Sequence, residues 1–140
     1  MTRREVRDCA FKILFEILLR NDPLEELYAI ADEVDEITLT DDVKKLIEGT
    51  IAHSAEIDEL ISKYSVKRSI NRIAKINLAV LRLAFFEIMY DDGTPENAAI
   101  KEAVLLSQTY AQEEDVSFVN GVLGAYSRSR AQAGECLENA

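Results

Sequence analysis

The stretch Ser117-Phe118-Val119-Asn120-Gly121-Val122-Leu123 decides between two fold classes. An Asn-Gly pair between apolar runs is ordinarily the sign of a tight β-hairpin turn. Here, however, the apolar residues from Phe118 to Tyr126 recur every three or four positions, which is the spacing of one helix face. Acids at 113–115 precede the stretch and suit a helix N-terminus. The sequence therefore predicts a helix over residues 115–128.

Gly121, in the Asn-Gly pair, is an unusual residue for the inside of a helix. A glycine inside a helix lowers stability by about 1 kcal/mol relative to alanine, so its presence needs a reason. Either another helix approaches the backbone closely or this surface binds something. A helix-packing contact is the simpler expectation.

The same helical period runs through the rest of the chain, and no stretch shows the alternation of a strand. Residues 76–89 are apolar nearly all round, which predicts a central buried helix, and Ile70 and Ile73 indicate a short turn. We expect an all-α bundle of about seven helices forming one domain of residues 1–130, followed by a disordered tail at 131–140. Besides this short turn, the helices are predicted over residues 3–20, 23–34, 41–64, 76–89, 95–110 and 115–128.

Capping residues mark the helix starts. Thr2, three residues before Glu5, has the spacing of a capping box, and Thr40 precedes the long third helix. Asp22 and Thr94 are each followed by a proline, so we expect them to cap helices in which that proline is the first residue.

The net charge of −10 argues against bulk affinity for nucleic acid, but the charge is unevenly distributed. Residues 21–48 carry ten acids and two bases, whereas residues 62–86 carry six bases and no acid. Arg3, Arg4 and Arg7 add a second basic segment. Both segments are either solvated helix faces, which is usual in acidic proteins, or surfaces that bind anions.

No pattern of catalytic residues is present. His53 is the only histidine, with no second ligand or nucleophile at a matching spacing, so neither a zinc site nor a catalytic base is indicated. Cys9 and Cys136 form no disulfide framework, which favours a reducing compartment. We find no phosphate-binding glycine loop, signal peptide or membrane span. We therefore expect a cytoplasmic binding protein that is not an enzyme and needs no metal or cofactor.

Three motifs, in this order along the chain, resemble the NusB family of bacterial transcription antitermination factors. Residues 80–88, VLRLAFFEI, are similar to the buried central helix of that family. Thr94-Pro95 followed by residues 99–104, AIKEAV, is similar to its helix after a proline loop. Residues 118–123, FVNGVL, are similar to its C-terminal signature. The resemblance covers residues 3–126 with compatible lengths.

The resemblance implies a fold of two packed helical bundles. It also implies binding of boxA-type single-stranded RNA, chiefly in transcripts of ribosomal RNA operons. The binding would be shared with the small-subunit ribosomal protein NusE, within the RNA polymerase antitermination complex. Two positions depart from the family pattern, because Ser117 stands where Lys is usual and Lys101 where Asn is common. Together with the acidic net charge, they predict weak RNA affinity for the isolated chain.

Single-stranded RNA is held by cations on its phosphates and by aromatic rings stacked on its bases, and an asparagine amide can both donate to and accept from a base edge. Each such residue also has a structural alternative, since Phe118 fits a core position and Tyr64 fits simple packing at a helix end. Arg82, in the most apolar helix, is expected to pair with a buried acid. The residues predicted to contact RNA are Arg3, Arg4, Arg7, Tyr64, Lys67, Phe118 and Asn120.

Two other functions stay open at this point. The chain could be a helical interaction scaffold or a homodimer without RNA binding of its own. It also resembles the N-terminal part of some RNA cytosine methyltransferases, but those need a further cofactor domain with a catalytic cysteine, for which we expect no room in this chain.

Overall fold

The computed structural model describes residues 1–34, 37–66, 68–91 and 93–138, without the side chains of 133–138. This part of the chain is all-α, as predicted, and contains no strand. A 3-10 turn at Ile70–Arg72 lies at the position predicted for a short turn. The helices are α1 (Arg3–Leu19), α2 (Leu24–Glu33), α3 (Asp41–Ala52), α4 (Ser54–Tyr64), α5 (Lys75–Tyr90), α6 (Glu96–Tyr110) and α7 (Glu113–Glu138).

The central helix is α5, and the other helices pack around it in two bundles. On one side α1 and α3 contact α5 and each other, with α2 against α1. On the other side α4, α6 and α7 contact α5, and α7 also packs on α4 and α6. The prediction of a buried central helix is confirmed, because the residues from Asn77 to Leu81 and from Leu83 to Glu87 are all buried. None of the helices in the described residues is both long and apolar enough to span a bilayer.

The predicted caps are confirmed at two helices and shifted at two others. The hydroxyl of Thr2 accepts a hydrogen bond from the Glu5 amide at 3.1 Å, and that of Thr40 accepts one from Val43 at 3.3 Å. At α2 and α6, however, the proline itself occupies the N-cap position, so the cap lies one residue later in the chain than predicted. A proline there retains its fixed φ of −60°, and because it has no N–H, it removes one of the amides that a helix start leaves without a partner.

The prediction of one long third helix is wrong, because the chain breaks at His53 into α3 and α4. His53 has φ −104° and ψ 16°, and its ring stacks on Tyr90 with the centroids 3.9 Å apart. The change of direction allows α3 to pack on α1 while α4 packs on α7. Thr50 and Ile57 are both buried and lie seven residues apart, which is close to two full turns, so the apolar period continues across the break and conceals it.

The last helix differs from its prediction in length and in the role of Gly121. It continues to Glu138, so the tail expected at 131–140 begins inside α7, and the final two residues lie outside the described part. A Cβ added at Gly121 would have no atom within 4 Å. The expected helix-packing contact is therefore absent from the described residues, because Val119 and Val122 turn the opposite side of α7 to the core.

The close helix contact occurs instead at Gly49 in α3. A Cβ added there would lie 2.2 Å from Cζ of the Phe86 ring, far inside van der Waals contact. Only a residue without a side chain allows α3 and α5 to approach this closely.

We predict opposite effects on stability for two of the helical glycines, Gly49 and Gly121. Gly49→Ala should lower the free energy of unfolding by about 1–2 kcal/mol, because overpacking against Phe86 outweighs the gain in helix propensity. Gly121→Ala, into open space, should raise it by up to about 1 kcal/mol. Urea unfolding followed by circular dichroism measures both, and a stabilising Gly49→Ala would contradict the close packing of α3 on α5.

Candidate nucleic-acid interface

The residues predicted to contact RNA fall in two separate parts of the structure. Arg3, Arg4 and Arg7 lie near the start of α1, where they meet α5 and α6. Tyr64 and Phe118 lie at the end of α4 and in the first half of α7. Among the described residues, no hydrogen bond, ion pair or shared cavity connects the two parts.

Arg7 is buried and does not present its guanidinium to solvent, in contrast to its predicted role. Its Nε donates to both carboxylate oxygens of Glu87, at 2.8 and 3.0 Å, and the two residues are 7% and 2% exposed. Each buried charge requires the other, because leaving one unpaired is costly. The reason lies in the spacing along α1, where Arg7 falls on the same stripe as the buried residues Ala10 and Leu14.

Arg3 and Arg4 remain at the surface, but each is held by a carboxylate. Arg4 donates from Nε and Nη2 to the two oxygens of Glu102, at 3.0 and 2.9 Å. Arg3 donates to Asp91 and lies 3.8 Å from Glu87. The side chains of Arg3 and Arg4 are 39% and 66% exposed, so exposure increases toward Arg4.

These contacts hold the pKa values of two carboxyls below their ordinary range. The hydrogen bond from Arg4 is the main cause for Glu102, whose pKa lies below its usual 4.5. Burial raises the pKa of Asp91, but hydrogen bonds from Gly93 and Thr94 and the charge of Arg3 outweigh it, so the pKa is lowered. A carboxyl with a lowered folded-state pKa contributes stability at neutral pH and loses it as the pH falls through that value. Both ion pairs are therefore fully charged near pH 7.

The second part of the predicted site is a groove between α4 and α7, which we call the α4–α7 groove. It has a volume of about 460 Å³, and its surface is mostly hydrocarbon. Gly121 lies in its wall, so a ligand in the groove can approach the helix backbone closely. The lining residues are Tyr64, Ser65, Val66, Glu114, Ser117, Phe118, Gly121, Val122, Ala125 and Arg128.

Both aromatic rings of the α4–α7 groove are half-buried and accompanied by cations. The guanidinium of Arg68 lies 4.7 Å from the centroid of the Phe118 ring, and the ammonium of Lys63 lies 5.5 Å from that of Tyr64. The Tyr64 hydroxyl donates to Ser129 at 3.1 Å, which fixes the end of α4 against α7. The rings thus combine the packing role and the exposed surface that the sequence left as alternatives.

Asn120 is exposed on α7 but does not line the groove. It lies about 100° around the helix from Gly121, on the strip next to the one that forms the groove wall. Lys67 lies outside the described residues. The structure therefore brings Tyr64 and Phe118 together and leaves Asn120 beside them.

The cations of the α4–α7 groove differ from the arginines of α1 in their partners. Within the described part of the chain, Lys63, Arg68 and Arg128 form no ion pair with a carboxylate. Their charges are therefore open to a phosphate, whereas Arg3 and Arg4 must first leave Asp91 and Glu102.

Arg128 and Val66 line the groove but are not among the residues predicted from the sequence to contact RNA. Arg128 follows Gly121 by seven residues and therefore lies on the same face of α7, which the helical period could have shown. Val66 is 88% exposed at the groove, in the irregular segment after α4, where no periodicity applies. The expected structural role of Arg82 corresponds to a two-pronged pair with the partly buried Asp58, at 2.9 and 2.8 Å.

We predict that Arg7 supports the fold rather than only the surface. Arg7→Met should lower the free energy of unfolding by about 3 kcal/mol, because it leaves the Glu87 carboxylate buried and unpaired. Adding Glu87→Leu should recover most of that loss, since an apolar pair of similar volume needs no partner charge. Arg20→Met, which removes an exposed arginine paired with Asp22 at 2.9 Å, is the control and should change stability little. Equal losses in urea unfolding of Arg7→Met and Arg20→Met would contradict the assignment.

Comparison with known proteins gives one consistent result. The sequence profile of the NusB family matches residues 4–128. The transcription antitermination protein NusB of Oceanobacillus iheyensis is 39% identical over 123 residues, covering 88% of this chain and 96% of the relative. That of Acetivibrio thermocellus is 33% identical over 143 aligned positions, covering 99% and 97%.

Solved structures agree over almost the same length. A crystal structure of the antitermination factors NusB and NusE in complex with double-stranded RNA superimposes with a TM-score of 0.78 at 32% identity, covering 91% of this chain and 96% of that one. The solution structure of NusB from Aquifex aeolicus gives a TM-score of 0.75 at 30% identity, covering 94% and 93%. Sequence profile, relatives and fold agree, and the chain belongs to the NusB family.

Proposed function

We propose that this chain is a transcription antitermination factor that binds boxA-type single-stranded RNA together with NusE, within the RNA polymerase antitermination complex that supports transcription of ribosomal RNA operons. The observation that carries the proposal is its similarity, over 91% of its length, to a NusB chain crystallised with NusE and RNA. That structure holds double-stranded RNA, and the single-stranded boxA target comes from the family resemblance. In this proposal the chain acts in the cytoplasm as a binding protein without catalytic activity.

The α1 arginines would supply phosphate contacts at one end of the RNA site. Arg3 and Arg4 are exposed, and a guanidinium fork that holds a carboxylate fits a phosphate equally well. Arg7 would act as a positioning residue, because its bond to Glu87 fixes the start of α1 on α5.

The α4–α7 groove would supply the base contacts. Phe118 and Tyr64 offer ring faces for stacking, and Arg68 and Arg128 lie beside them to meet phosphates. Asn120, on the adjacent strip of α7, can donate to and accept from the edge of a base that leaves the groove.

One observation favours a second candidate for the groove. Its lining is mostly hydrocarbon, and Val66 is 88% exposed there, which suits an apolar side chain of a protein better than a nucleotide. The alternative assigns the groove to NusE and leaves the RNA at α1. The alternative of a homodimer stays a prediction, and light scattering of the isolated chain tests it.

We expect NusE to increase RNA affinity. The isolated chain carries a net charge of −10, and the exposed arginines of α1 are already paired, so RNA binding should be weak and strongly salt-dependent. Addition of NusE should tighten binding of a boxA oligonucleotide, measured by gel shift or fluorescence anisotropy. Tight binding without NusE that is unaffected by Arg3→Ala and Arg4→Ala would contradict the expected weak affinity, and absence of binding with NusE would overturn the proposed function.

The occupant of the α4–α7 groove can be determined with Phe118→Ala and a matched control. If bases stack on Phe118, RNA affinity should fall about five- to hundredfold, because stacking contributes about 1–3 kcal/mol per base. Phe15→Ala, which truncates another half-buried phenylalanine away from the groove, should leave RNA affinity unchanged. RNA and NusE are titrated separately. Loss of NusE binding alone would assign the groove to the protein partner, and loss of neither would exclude it as a contact surface.

A further inference from the structure

The contact between Arg4 and Glu102 joins the most exposed arginine of the α1 site to a carboxylate of α6. Both oxygens of Glu102 accept hydrogen bonds from the guanidinium, at 3.0 and 2.9 Å. The Arg4 side chain is 66% exposed, whereas that of Glu102 is only 16% exposed. The carboxylate is thus anchored in the protein surface, and the arginine reaches over it from the solvent side.

A phosphate needs the same donors that Glu102 occupies. Arginine recognises carboxylates and phosphates through the same planar pair of N–H groups. While Nε and Nη2 of Arg4 are bonded to Glu102, they cannot form this two-pronged contact with RNA. The negative charge of Glu102 would also lie next to any phosphate that approached Arg4.

We infer that Glu102 is an intramolecular competitor of RNA for Arg4 and thereby limits the RNA affinity of this chain. The inference rests on the proposed RNA-binding function and adds the residue that sets the strength of the α1 site. A guanidinium that leaves Glu102 for a phosphate exchanges one charged hydrogen-bonded pair for another. The exchange is accessible because exposed ion pairs contribute little to stability.

A phosphate could replace the carboxylate partner less easily at the neighbouring arginines, Arg3 and Arg7. Arg7 is bonded to Glu87 inside the core and does not exchange without unfolding the start of α1. Arg3 is 39% exposed and has two acids near it, Asp91 and Glu87, so its release from one leaves the other. Arg4 has a single carboxylate partner and the greatest exposure, which makes its pair with Glu102 the one that a phosphate can replace.

The chain offers a closely matched control on the same helix. Glu96 of α6 accepts a hydrogen bond from Arg130 of α7 at 2.9 Å, and its side chain is 27% exposed. Glu96→Gln and Glu102→Gln each remove one negative charge and one arginine partner from α6, so they change the net charge equally. Only Glu102→Gln frees an arginine of α1.

The experiment measures affinity for a single-stranded boxA oligonucleotide across a salt series, with the full chain and both glutamine variants. Glu102→Gln should bind about two- to fivefold more tightly than the unmodified chain, as expected for relief of an exposed ion pair. The plot of log affinity against log salt should steepen by about 0.7, the value for one added phosphate contact on a single strand. Glu96→Gln should bind like the unmodified chain. In an Arg4→Ala background, Glu102→Gln should have no effect.

Each other outcome overturns the inference. If the unmodified chain binds RNA and Glu102→Gln binds no better, Glu102 does not compete, and the proposed function is untouched. Equal gains in RNA affinity for both glutamine variants would show that the effect comes from net charge alone. A gain that persists without Arg4 would exclude the pair as its cause. If neither the unmodified chain nor Glu102→Gln binds RNA, with or without NusE, both the inference and the proposed function fail. Thermal unfolding by circular dichroism confirms that each variant is folded.

Discussion

The buried ion pair between Arg7 and Glu87 is the contact on which the arrangement of α1 depends. The two residues are separated by 80 positions in the sequence, and both are almost completely buried. A charge in a protein interior is tolerated only with a partner in good geometry, so the pair fixes both the position and the rotation of α1 on the central helix. Once α1 is held in this way, Arg3 and Arg4 must emerge beside the C-terminal part of α5 and the middle of α6. The carboxylates that meet them there are Asp91 and Glu102. The surface chemistry of the α1 site therefore follows from a contact in the core.

The two parts of the candidate interface solve the same electrostatic problem in different ways. An acidic protein that binds RNA must offer cations without being repelled by its own net charge. At α1 the exposed arginines are paired with carboxylates at the surface. A phosphate could bind them only by replacing those carboxylates. At the α4–α7 groove, Lys63 and Arg68 lie over aromatic rings instead of beside carboxylates. A cation over a ring keeps its full charge, because the ring attracts it without neutralising it. Within the described part of the chain, no carboxylate pairs with these two cations, although Glu114 lies in the mostly apolar lining of the groove.

Much of this arrangement follows from the sequence, and the exceptions have physical causes. The helical period predicts the fold class and the central position of α5, and the capping residues predict the helix starts at Thr2 and Thr40, because these features depend on residues close together in the chain. The break at His53 leaves no trace in that period, since it occurs where buried residues on both sides stay in phase. The partners of the α1 arginines come from helices far away in sequence, so no local pattern could identify Glu87 or Glu102. The burial of Arg7 could be predicted in part, because its spacing from Ala10 places it on the apolar stripe of α1.

Gly49 and Gly121, two of the glycines inside helices, show what helix propensity can and cannot predict. Both violate helix propensity by about the same amount, so the sequence gives equal reason to suspect a close contact at each. The structure separates them, because Gly49 receives the Phe86 ring and Gly121 receives nothing within the described residues. A residue that lowers stability and makes no packing contact in exchange is often one that serves binding. Gly121 belongs to the Asn-Gly pair that would ordinarily indicate a hairpin, and it lies in the wall of the α4–α7 groove, where an occupant of the groove could approach the helix backbone. The fold accounts for Gly49, and the proposed occupant of the α4–α7 groove would account for Gly121.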